Sequence, residues 1–119
     1  NSLKVEPEKV ALNPLDEELL KKAIAIVEKH MDNVEFSTEI FAREMCMSRS
    51  NLHIKMKALT GESANDFIRK MRFNQACKLL KEGKYTVSEI SGMVGFNTPS
   101  YFATSFKKYF GCLPSEYGK

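Results

Sequence analysis

The stretch Glu89-Ile-Ser-Gly-Met-Val-Gly-Phe-Asn-Thr-Pro-Ser-Tyr-Phe-Ala-Thr-Ser-Phe-Lys-Lys-Tyr-Phe-Gly-Cys-Leu-Pro-Ser-Glu-Tyr117 decides the fold. It reads as a short helix, a tight turn at Gly95 and a second helix that begins at Thr98-Pro99, a cap followed by proline at the first helical position. It is also a second copy. Residues 37–46 match 86–95 at an offset of 49, pairing Ser37 with Thr86, Phe41-Ala42 with Ile90-Ser91, and Met45 with Val94. Residues 48–61 match 98–111 at an offset of 50, pairing Leu52 with Phe102, Met56 with Phe106, Lys57 with Lys107 and Gly61 with Gly111. Two helix-turn-helix units in one small chain imply two helices able to present equivalent faces to a duplex.

Working outward, the pattern predicts an all-α domain of about seven helices and no strand. Residues 1–14, with Pro7 and Pro14, read as a linker from an upstream region. Asp16 is expected to cap a first helix whose stripe is Leu19, Leu20, Ala23, Ile24, Val27 and Met31. Ser37 caps the next, with Ile40, Phe41 and Met45 inward, and Ser48 caps the helix of 49–60, which stops at Gly61. Residues 62–82 form the longest run, apolar on most of its circumference, and so are expected to pack against the first unit with one half and the second unit with the other. At about 1.5 Å per residue this rod is roughly 30 Å long, close to the ~34 Å repeat of major-groove faces on DNA. The expected division is 15–61 for the first unit, 62–82 for the linking helix and 83–119 for the second unit.

Composition narrows the function. At 119 residues the chain is one domain, short of what an enzyme cleft plus scaffold requires. No apolar run is long enough for a membrane span, so no membrane contact is expected. The chain starts at Asn1 without a charged, apolar leader and is expected to be a segment of a longer protein. Cys46, Cys77 and Cys112, odd in number and widely spaced, fit neither a disulfide framework nor a zinc site, which points to a reducing, cytoplasmic setting. There is no phosphate-binding glycine loop, ligand cluster or nucleophile triad, so no enzyme activity, cofactor or metal is expected of this segment.

The net charge of +3 conceals a division. Residues 1–47 carry 6 Lys/Arg against 10 Asp/Glu, a net of −4; residues 48–119 carry 12 against 5, a net of +7. Basic charge begins where the first candidate reading helix begins, as expected of a nucleic-acid face. A rotation of about 100° per residue puts Leu52, Met56 and Leu59 on the buried edge, with Ser50, Ile54 and Lys57 opposite and His53 and Ala58 flanking. By the offset, Phe102, Phe106 and Tyr109 form the second buried edge; Ser100, Thr104 and Lys107 face outward, flanked by Ala103 and Lys108. Small and polar groups near each helix start can approach base edges, while the later lysines reach phosphates. A helical protein-docking module is the alternative, distinguished by whether those lysines act in a salt-dependent way. His30 is expected to meet helix-terminal carbonyls, His53 to contact DNA, and Cys77 and Cys112 to pack as small hydrophobes.

Glu89-Ile90, Val94-Gly95-Phe96, Tyr101-Phe102, Phe106-Lys107-Lys108, Phe110-Gly111, Pro114-Ser115 and Tyr117, with Ser48 to Leu52, Lys57 and Thr60-Gly61, resemble AraC/XylS-type transcription regulators over residues 15–119. Glu6-Pro7 and the run Leu15 to Leu20 resemble the output domain of hybrid two-component regulators of Bacteroidetes, whose full-length forms carry histidine kinase activity. The resemblance implies a seven-helix fold and transcriptional regulation through double-stranded promoter DNA at direct-repeat sites. RNA polymerase is then a candidate partner; the segment is expected to be monomeric and its parent dimeric. Carried over by residue, the base-proximal positions are Arg49, Ser50, His53 and Ile54, then Pro99, Ser100, Ala103 and Thr104. The phosphate-proximal set is Ser48, Lys55, Lys57, Thr98, Lys107 and Lys108. Ile54 stands where the family often has Arg, and an Ile can meet a thymine methyl. Cys46 stands where Gly is common and Ser91 where Ala is usual.

Overall fold

The computed structural model describes residues 13–117, which form six α-helices and one short 3-10 turn with no strand. The helices are α1 (Pro14–Lys29), α2 (Thr38–Glu44), α3 (Arg49–Thr60), α4 (Ala64–Glu82), α5 (Val87–Met93) and α6 (Pro99–Phe110), followed by the 3-10 turn Pro114–Glu116. Most of the proposed linker, residues 1–12, lies outside the described residues. The expected start of α1 needs correction. Asn13, not Asp16, is the cap: its Oδ1 accepts the Asp16 amide at 2.8 Å, and Pro14 opens the helix. A proline there forfeits no hydrogen bond, because the first amides of a helix have no carbonyl to reach.

The remaining helix ends follow local chemistry. The hydroxyls of Ser37, Ser48, Ser63, Thr86 and Thr98 each accept an amide three residues on. Thr86 and Glu89 complete a capping box. Since Ser63 is the cap, α4 starts two residues later than its sequence pattern suggests.

The described residues divide into two compact units. In the first, α1, α2, α3 and the residues of α4 up to Met71 bury Ala23, Val27, Phe41, Leu52, Met56, Leu59 and Phe67 almost completely. Ile26 is buried too, although it falls outside the stripe read from the sequence. His30 stacks on Phe36 at 4.7 Å between ring centroids, and Phe36 and Phe41 continue the contact at 5.9 Å. His30 does not reach helix-end carbonyls through its ring as expected; its Nε2 meets Glu44 Oε2 at 2.8 Å, and Lys29 Nζ approaches the other oxygen at 3.3 Å. Glu44 is held below the usual carboxylate range chiefly by the His30 contact, partial desolvation opposing it and Lys29 adding to it.

The second unit contains Met31–Glu35 and everything from Arg72 on. Its core is aromatic: Phe73 touches the rings of Phe96, Phe106, Tyr109 and Phe110 at centroid distances of 4.9 to 5.9 Å. Cys77 and Cys112 are half-buried at its edge with Tyr117. Burial pushes the Cys77 thiol up, and the Cys77 contact does the same to the Tyr117 phenol. One expectation fails here: Tyr109, the equivalent of buried Leu59, is 45% exposed. Its ring still packs on Phe73 while the phenol end stays wet, an arrangement that Leu has no reason to adopt.

Candidate nucleic-acid interface

The two turns that aim α3 and α6 are built by the same bonds. After α2, the Cys46 amide donates to Arg43 O at 3.0 Å and the Met47 amide to Ala42 O at 2.9 Å. After α5, Gly95 donates to Gly92 O at 3.1 Å and Phe96 to Ser91 O at 2.9 Å. Both are Schellman closures, which require a left-handed residue just past the helix. Gly95 supplies it at φ 84°, and Cys46, alone among the described non-glycine residues in having positive φ, at 62°. The offset of the repeat changes immediately afterwards, because Asn97 is one extra residue between the closure and the Thr98 cap. Ser91, in place of a smaller residue, is buried and satisfied by donating its hydroxyl to Ser88 O at 2.9 Å.

Each recognition helix is then fixed at both ends. Ser48 Oγ accepts the Asn51 amide and Thr98 Oγ1 the Tyr101 amide, both at 3.1 Å. Gly61 and Gly111, at φ 80° and 87°, return their amides to Lys57 O and Lys107 O. On α3, Leu52, Met56 and Leu59 are buried, whereas Arg49, Ser50, His53, Ile54 and Lys57 are exposed, Ile54 at 65%. On α6, Phe102 and Phe106 are fully buried, and Pro99, Ser100, Thr104, Lys107 and Lys108 are exposed; Ala103 is half-buried. Within each unit the residues expected near bases lie along one helix, with the capping hydroxyl at its start. Ser48 and Thr98 use their oxygens as acceptors for their own helices, leaving the O–H free to donate to a phosphate.

Charge separates these helices from the others. Neither α3 nor α6 contains an Asp or Glu. The first turns of α1, α2, α4 and α5 hold Asp16 and Glu17, Glu39, Asp66 and Glu89, respectively, but those of α3 and α6 are acid-free. An uncompensated helix N-terminus with free amides attracts an anion, and a phosphate is the anion a duplex offers. Among the described residues, Arg49, Lys57, Lys107 and Lys108 form no salt bridge, whereas Lys55 is half-buried and lies 3.8 Å from Asp16 of α1. Sequence reasoning passed over two exposed flanking residues, Asn51 and Tyr101, the latter 62% exposed. The same helical projection that selected Ala58 and Lys108 carries them. Among the described residues no cluster of His, Cys, Asp or Glu is suited to a metal, and no helix is long and apolar enough to cross a membrane.

Comparison with known proteins agrees with this architecture. Residues 41–119 match a family described as a helix-turn-helix domain. The chain is 40% identical over 117 residues to histidine kinase P4 of Formosa agariphila, covering 98% of this chain and 8% of that one. The C-terminal domain of the two-component response regulator yesN from Fusobacterium nucleatum superposes with a TM-score of 0.79 at 26% identity, covering 86% of this chain and 99% of the other. The DNA-binding domain of AdpA, a global transcriptional factor solved in complex with a target DNA, gives a TM-score of 0.76 at 28% identity, covering 84% of this chain and 88% of that one. The chain spans 8% of the length of the Formosa agariphila kinase and 24% of that of an AraC-like transcription regulator of Streptomyces lividans, to which it is 32% identical over 73 residues. Repeated turn, paired helices and family match coincide, and the chain belongs to the AraC-type helix-turn-helix family.

Proposed function

We propose that this chain binds double-stranded promoter DNA sequence-specifically and regulates transcription, α3 and α6 entering successive major grooves. The observation that carries this reading is that the two acid-free helices expose equivalent faces, each with an unpaired lysine a turn beyond small and polar groups. Base contacts fall to Arg49, Ser50, His53 and Ile54 on α3 and to Pro99, Ser100, Ala103 and Thr104 on α6. Phosphate contacts fall to Ser48, Lys57, Thr98, Lys107 and Lys108, with Lys55 shared between Asp16 and the backbone of the duplex. The likeness to a kinase and to a response-regulator domain supports a role as the output segment of a two-component signalling protein in the cytoplasm. In that setting the segment is a monomer whose parent dimerises, and promoter-bound RNA polymerase is its onward partner.

The test is binding to a duplex selected from random sequence, compared with the same duplex carrying an insertion of about five base pairs between its halves. Half a helical turn rotates one half-site away from its helix. Affinity should fall to that of a single half. Unchanged affinity would contradict bipartite reading, and absence of duplex binding would favour a protein-docking role.

A further inference from the structure

The two faces occupy equivalent positions but carry different chemistry. On α3 the exposed set holds a guanidinium (Arg49), a hydroxyl (Ser50), an imidazole (His53) and a branched alkyl group (Ile54, 65% exposed). Ile54 is opposite the buried edge of Leu52 and Met56 and contributes nothing to the core. An apolar side chain on such a face has one apolar feature to meet in the major groove, the 5-methyl of thymine. On α6 the corresponding residues are Pro99, Ser100, Ala103 and Thr104. None has an imidazole, a carboxamide or a guanidinium, so none can make the bidentate contacts that discriminate bases strongly.

The lysines are placed differently on the two helices. Lys107 and Lys108 are adjacent, exposed and without a salt bridge among the described residues, while the first unit has Lys57 and Ala58 at those positions and Lys55 drawn to Asp16. Tyr101, whose equivalent is Asn51, adds an exposed phenol beside the start of α6. Groups of this kind hold a phosphate backbone irrespective of sequence.

Building on the proposed DNA-binding role, we infer that the two units divide the work unequally: α3 reads sequence, with Ile54 demanding a thymine, and α6 mainly grips backbone. The operator therefore has one stringent half and one permissive half. The experiment is selection from random duplexes with the 119-residue chain, followed by anisotropy titrations in which deoxyuridine replaces the selected thymine. Deoxyuridine lacks only the methyl group. The replacement should weaken binding of the unaltered protein about fourfold, the worth of one buried methyl, and should leave Ile54→Ala unaffected. Arg49→Ala should lose the base preference of the first half, whereas Lys108→Ala should weaken all duplexes alike. Arg49, Ile54 and Lys108 are solvent-facing, and circular dichroism of each variant checks that it is folded. Equal information content in the two halves, or deoxyuridine sensitivity that persists in Ile54→Ala, would overturn the division while leaving DNA binding intact. Failure to enrich any duplex would remove the DNA-binding role itself.

Discussion

Cys46 and Gly95 hold the same place in the two repeats, each the left-handed residue that closes the turn ahead of a recognition helix, at φ 62° and 84°. They are not interchangeable. A Cβ at Gly95 would lie 2.7 Å from Met31 O and 2.8 Å from Arg72 Cζ, whereas the Cys46 side chain is exposed.

The strain at Cys46 is of the order of 1–2 kcal/mol, because Cβ crowds the following carbonyl in the left-handed region. Glycine removes it but adds about 0.5–1 kcal/mol of unfolded-chain entropy. Cys46→Gly should therefore stabilise the chain by about 0.5–1 kcal/mol, and Cys46→Ala should change little. Gly95→Ala should destabilise by more than about 2 kcal/mol, since backbone strain and steric overlap act together. Thermal and urea unfolding of the three variants checks the ordering.

Part of the obstruction at Gly95 is Arg72, whose Nη1 donates to Gly95 O at 3.2 Å and Nη2 to Asn33 O at 3.0 Å, while its buried Nε has no partner among the described residues. Desolvation lowers the guanidinium pKa from its ordinary value. Arg72→Met should cost about 2–4 kcal/mol by stranding both carbonyls. Arg72→Lys should not restore the loss, because an ammonium cannot span two carbonyls as a planar fork does. Urea denaturation of both variants measures this.

The Glu44 contact sets a pH dependence. A carboxyl whose folded pKa is depressed adds stability above its ordinary value of 4.5 and loses it as pH falls through the lower folded value. Stability should fall on acidification over that window, and Glu44→Gln should flatten the slope there. Unfolding midpoints measured across acidic pH would show no difference between the two proteins if His30 and Lys29 did not engage this carboxylate.

Thiol reactivity should follow exposure. Cys46 is exposed, Cys112 half-buried, and Cys77 is half-buried with its thiol pKa raised by burial. Since the thiolate is the nucleophile, iodoacetamide at neutral pH should modify Cys46 first and Cys77 last, as read by mass spectrometry of timed samples.

Much of this was legible in the residues because it is local. The caps at Ser37, Ser48 and Thr98, the stops at Gly61 and Gly111, and the buried edges of Leu52, Met56, Phe102 and Phe106 each follow from spacing within one turn or one helix. What escaped was set by partners distant in sequence. Arg72 reads as one more cation on a helix; only folding brings it to carbonyls 23 and 39 residues away. His30 finds Glu44 across 14 residues, and Lys55 finds Asp16 on another helix. Tyr109 departed from its repeat partner because a phenol can cover the core with its ring and leave its hydroxyl in water. The Asn13 cap was hidden by Pro14, read as a breaker when it was an opening residue. The acid-free first turns of α3 and α6 were visible in the sequence all along, and they mark the candidate site more sharply than net charge does.

The salt dependence of duplex binding tests the central claim most directly. Lys55, Lys57, Lys107 and Lys108 provide about four phosphate neighbours, and each releases counterions worth about −0.9 in the slope of log K against log salt. The account predicts a slope of roughly −3 to −4 for the unaltered chain, flattened by about one unit in Lys107→Ala without a change in preferred sequence, and untouched by Lys21→Ala on α1. A folded chain that binds its selected duplex with no salt slope, or whose Lys107→Ala variant keeps the full slope, would contradict it.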